Sequence, residues 1–217
     1  SNYAGSVQWT SGALGNSGEQ ITLIDGSSNV IDDLTYDDNS AWGSNADGGG
    51  SSLELIIATA NNSLSGSWSA SSTTNGTPGT ANSVHGAVIS GNSGFRMMSS
   101  PVAGTVYDDI LGDLWIQGMT NGDLTTGTAN VWTFDVSGQS WTALTNLNTA
   151  SQTAGEGYLV YVFADTDNDG DDDLPVTLSV AGTENSASAT VGSITAGEWA
   201  LVGNPYASTI DWDGVTQ

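Results

Sequence analysis

Residues 16–36, NSGEQITLIDGSSNVIDDLTY, decide the fold class. Two runs rich in Ile, Leu, Val, Thr and Tyr, at 20–24 and 30–36, flank a DGSSN segment of turn formers, the pattern of a β-hairpin. Further out, 52–57 follows the Gly48-Gly49-Gly50 corner and sets Leu53, Leu55 and Ile57 on one face at period two. From 61 to 84 the chain turns polar and reaches Thr77-Pro78-Gly79, where proline and glycine break any strand. That break predicts a domain boundary, with one β-sandwich region over 1–83 and a second over 84–217.

In the second region strands are expected at 95–99, 131–136, 158–163, 176–180, 188–191 and 199–202, with 106–111 a short helical turn or loop. Residues 158–163 are apolar on both faces, which predicts a central strand covered on two sides. No stretch of ten or more residues carries helical periodicity. The expected class is therefore all-β, built as two sandwiches.

Charge excludes several functions. The 217 residues contain 24 Asp and Glu against a single Arg96 and no Lys, for a formal net charge of −23. A chain with almost no cations cannot displace the counterions of a phosphate backbone, so nucleic acid and anionic lipid are not expected partners. No apolar run approaches the ~18 residues of a membrane span, so no membrane insertion is expected. Ser1 opens the chain without a charged segment and an apolar core behind it, so a mature or excised fragment is expected. Cysteine is absent, which removes disulfides, thiolate metal sites and cysteine nucleophiles.

Calcium is the alternative staple, and 165–173 carries its signature. Asp165, Asp167 and Asp169 alternate ahead of Gly170, followed by Asp171, Asp172 and Asp173. Carboxylates at alternate positions around a turn glycine converge on Ca²⁺ in the opening of an EF-hand loop, but the twelfth position here is Val176 instead of Glu. The expectation is a calcium loop between two strands, closed by Asp171, Asp173 or backbone carbonyls. Among eight Trp, Trp42 and Trp115 fall in loop-like stretches and are the candidates for stacking on sugar rings, whereas Trp68, Trp132 and Trp199 are expected in the core. His85 is the single histidine and no nucleophile-elbow motif accompanies it, so no catalytic residues are assigned and no enzyme is expected.

Asn16-Ser17-Gly18-Glu19, Asp33-Leu34-Thr35-Tyr36, Ser52-Leu53-Glu54-Leu55, Trp68 and Gly76-Thr77-Pro78-Gly79 resemble, in order and spacing, the bacterial lamin-tail domain over roughly residues 7–83. That resemblance implies an immunoglobulin-like sandwich on secreted and surface proteins, here without the family's first strands. Gly94-Phe95-Arg96-Met97-Met98-Ser99-Ser100-Pro101, Gln117-Gly118, Asn130-Val131-Trp132, Gly155-Glu156-Gly157-Tyr158 and Gly203-Asn204-Pro205-Tyr206 resemble a β-rich region, jelly-roll or immunoglobulin-like, of large surface proteins of Bacteroidota exported by the type IX route. With the acidic loop at 165–173, they lead to the expectation of an extracellular, non-catalytic, calcium-stabilised structural or adhesive module, assembling as a homo-oligomer or filament through strand complementation or with other segments of a larger protein. The alternative is a carbohydrate- or surface-binding accessory of a secreted hydrolase, with polysaccharide as partner.

Overall fold

The computed structural model describes residues 11–102 and 104–215; the start of the lamin-tail resemblance, residues 7–10, lies outside them. The chain is all-β, with ten short strands and one four-residue α-helix among the described residues, and forms two compact units, one ending at Val84 and one beginning at His85.

Among the described residues the first unit holds two antiparallel ribbons. β1 (Glu19–Ile24) pairs with β2 (Val30–Tyr36), with a register shift at Leu23/Ile24, and Asp25 caps the connecting turn by accepting from the Ser27 and Asn29 backbone N–H groups. β3 (Leu53–Leu55) pairs with β4 (Trp68–Ala70). Leu53 and Leu55 share one face of β3 and are half-buried, while the residue between them, Glu54, is buried, 4% exposed. The burial of Glu54 has a chemical cause. Glu54 Oε1 accepts from Thr77 Oγ1 at 2.6 Å, and Oε2 accepts from Ser83 N at 2.6 Å and Ser83 Oγ at 2.8 Å. The carboxylate is therefore satisfied inside, and it ties the Thr77-Pro78-Gly79 turn to the ribbon.

The second unit holds a four-stranded sheet in the order β6 (Gly94–Met98), β9 (Tyr158–Val162), β7 (Val131–Asp135), β8 (Ser140–Ala143), and a pair of β10 (Val176–Ala181) with β5 (Val84–Ile89), of which all but the first residue belongs to this unit. β9 is central, as its apolar character predicts. Its inner face, Tyr158, Val160 and Val162, joins Val131, Leu178, Val180, Ile110 and Leu111 of the helix α1 (Asp108–Leu111), and loop residues Leu114, Ile116, Met119 and Leu147 in one core. The expected strands at 188–191 and 199–202 are not formed; Val202 makes only an isolated bridge to Glu156.

The motifs scattered through the second region meet in space. Gly203 N donates to Gly155 O, Gly157 N donates to Leu201 O, and Ser99 Oγ donates to Asn204 O at 2.9 Å. A Cβ on Gly203 would collide with Ser99, so glycine is required by close approach. Asn130, 3% exposed, does the same for Gln117-Gly118 and β9. Its Oδ1 accepts from Gln117 N at 2.9 Å, and its Nδ2 donates to Trp115 O at 2.9 Å and Tyr161 O at 3.1 Å.

Candidate functional sites

The acidic loop joins β9 to β10, and its base is closed by Asp173 N donating to Ala164 O at 2.8 Å. Asp165, Asp167 and Asp173 each present one carboxylate oxygen within 4.8 Å of the others. That spacing matches oxygens bound to one Ca²⁺ at 2.3–2.6 Å. Asp169 and Asp171 stand outside this trio and are linked to each other, with Asp171 N donating to Asp169 Oδ1 at 3.2 Å. Asp167 is pushed above its ordinary value by desolvation and then by the charges of Asp169, Asp173 and Asp165. Asp171 is raised by its hydrogen bond to Asp169 and by that neighbour's charge, and Asp169 is correspondingly lowered by its hydrogen bonds from Asp171.

In a loop crowded by like charge, a hard cation relieves what protons otherwise relieve. Because Asp167 is raised above its ordinary value, a Ca²⁺ ion held by the trio would have to displace its proton as the pH falls, and affinity is expected to decrease toward acid. Calorimetric titration is expected to give a dissociation constant on the order of 10⁻⁴–10⁻³ M at pH 7, the class of extracellular modules. Weakening should set in at higher pH than for ordinary aspartates. Asp165→Asn with Asp173→Asn should abolish the heat, and no heat from the unsubstituted protein at 10 mM Ca²⁺ removes the assignment.

The tryptophans change places relative to expectation. Trp42, expected on the surface, is 8% exposed, with its ring centroid 6.5 Å from that of Trp68. Trp115 is half-buried, and its Nε1 donates to Gln117 Oε1 at 3.3 Å. Trp199, expected in the core, is 76% exposed; its backbone is held by Gln139 at the β7–β8 turn. Trp68 and Trp132 are half-buried.

A second correction concerns the cover on β9. Register places Phe95 and Met97 of β6, Leu159 and Tyr161 of β9, Trp132 and Phe134 of β7, and Trp141 of β8 on the sheet face opposite the core. None of these side chains is buried, and Met97 is 71% exposed. The aromatic pairs Phe95–Tyr161 and Phe134–Trp141 meet edge-on at centroid distances of 5.1 and 5.3 Å. This is the geometry of a core, carried by an uncharged face that the described residues leave open.

The first unit has an opening of its own. A cleft of about 430 Å³ lies between its ribbons, floored by Ile21 of β1, Leu34 and Tyr36 of β2, Leu53 of β3, Trp68 of β4 and Trp42. Asp37, Asp38 and Asp47 also line it and are exposed. Among the described residues, only Trp42, Ile56 and Val84 are buried apolar side chains in this unit, against a cluster of sixteen in the second. Comparison with protein-family models, with curated proteins and with solved structures returns no match.

Proposed function

We propose that the protein is a non-catalytic structural module of an extracellular bacterial surface or appendage protein, stabilised by Ca²⁺ and completed by β-strands that a neighbouring segment or subunit supplies. The observation that carries this reading is the thin core that the described residues of the first unit form beside an apolar-floored cleft. A domain of this size needs far more burial to offset its chain entropy, and two-stranded ribbons are marginal alone. The resemblances to lamin-tail and type IX-exported proteins support the extracellular setting, and the acidic surface opposes uncontrolled pairing of open edges.

Hydrogen exchange tests this reading. In the isolated chain the amides of β1–β4 should exchange at least a hundredfold faster than those of β7 and β9, and in native assembled material the gap should close. A first unit as well protected as the second in the isolated chain overturns it.

The exposed Trp141 and Trp199 favour a second reading, a carbohydrate- or surface-binding accessory module. In that case Trp141→Ala with Trp199→Ala removes glycan-array binding and leaves the exchange pattern unchanged.

A further inference from the structure

We infer that the cleft of the first unit takes a basic extended peptide segment from a different polypeptide, and not a strand from a second copy of this chain. The inference rests on the reading of the first unit as strand-completed and names the partner. Three features of the cleft select the occupant. Its walls are two-stranded ribbons among the described residues, and the outer edges of β1 and β2 offer backbone N–H and C=O groups that an extended chain can satisfy, whereas on β3 the Leu55 carbonyl already accepts from Asn82 Nδ2. Its floor is apolar and aromatic, so alternate side chains of the incoming segment must be apolar.

Its lining also includes Asp37, Asp38 and Asp47, and the first unit contains no Lys or Arg to neutralise them. Among the described hydrogen bonds, Asp37 accepts one from the Asn39 backbone, and the side chains of Asp38 and Asp47 accept none. Lysine or arginine flanking the apolar positions would meet these carboxylates and lie against the half-buried Trp68 and Tyr36 rings. A second copy of these 217 residues would not supply such flanks, because its one Lys or Arg is Arg96, which donates to the Phe95, Ser90 and Asn92 carbonyls of its own turn. A copy would also bring another 23 negative charges.

Two synthetic peptides test this, each alternating valine and threonine over about seven residues, one with two lysines at each end and the other with two glutamates. Titrations follow tryptophan fluorescence and calorimetric heat. At 50 mM salt the lysine peptide should bind at least tenfold tighter than the glutamate peptide, with the preference shrinking toward 1 M salt as the screening length falls to about 3 Å. In the triple variant D37N/D38N/D47N, exposed positions whose change preserves shape, the preference should fall to within about twofold.

A preference that survives in the triple variant reports only the overall charge and overturns the inference. Equal binding of both peptides to the unsubstituted protein overturns it as well, but leaves strand completion standing. Failure of both to bind removes the two readings together.

Discussion

Glu54→Ala is expected to destabilise the first unit by about 3 kcal/mol, lowering its unfolding midpoint by roughly 15 °C. The carboxylate accepts three hydrogen bonds of 2.6–2.8 Å from Thr77 and Ser83, with no cation among its partners. Truncation leaves the buried Ser83 N–H without its acceptor and detaches the 77–83 segment from β3. Ser83 Oγ, which accepts from Ser72 N at 2.9 Å, loses its own anchor at the same time. Glu54→Gln keeps the volume and one acceptor but turns an amide N–H₂ toward a donor, so it should cost about half as much. Amide exchange resolved by segment provides the readout, with β7 and β9 as internal controls. If Glu54→Ala changes first-unit stability by less than about 0.5 kcal/mol, the clamp has no energetic role.

The same group has a signed pH dependence. Burial raises the Glu54 carboxyl, but hydrogen bonds from the Thr77 and Ser83 side chains and the Ser83 and Val84 backbone outweigh burial and hold it below its ordinary 4.5. A depressed folded value means that the unfolded chain binds the proton more readily. The contribution is thus fully present above about pH 4.5 and is lost as the pH falls through the folded value. The stability gap between the parent protein and Glu54→Ala should narrow over that window, and a gap that widens there contradicts the assignment.

Sequence reading succeeded where the signal is local. The hairpin of β1 and β2 was legible because a run of turn formers separates two β-rich segments, and the break at Thr77-Pro78-Gly79 lies just ahead of the division at Val84/His85. It failed where burial is decided by distant partners. Glu54 reads as the polar side of β3 until Thr77 and Ser83 are seen to reach it, and Trp42 reads as a loop residue until it meets Trp68. β4, β5 and β8 are not legible because β4 and β8 have only three and four residues and β5 holds His85 and Gly86. In the acidic loop the spacing of carboxylates was legible, but the choice of Asp165, Asp167 and Asp173 over Asp169 and Asp171 depends on loop backbone, including positive φ at Asn168 and Gly170.

Asn130→Ala should cost the second unit about 3–4 kcal/mol, because one side chain there satisfies three backbone groups, at Trp115, Gln117 and Tyr161. These bonds tie the 115–117 segment to the central strand, and Tyr161 N donates to Asn130 O at 2.8 Å from the other side. Asn130→Asp decides between shape and donors. It preserves volume but points a carboxylate at the carbonyls of Trp115 and Tyr161, and so should be at least as damaging as alanine. Loss of the 115–117 tether frees the Trp115 ring, so a red shift in tryptophan emission should accompany the lowered midpoint. An Asn130→Asp variant as stable as the parent would mean that packing volume, and not the two Nδ2 bonds, holds this junction together.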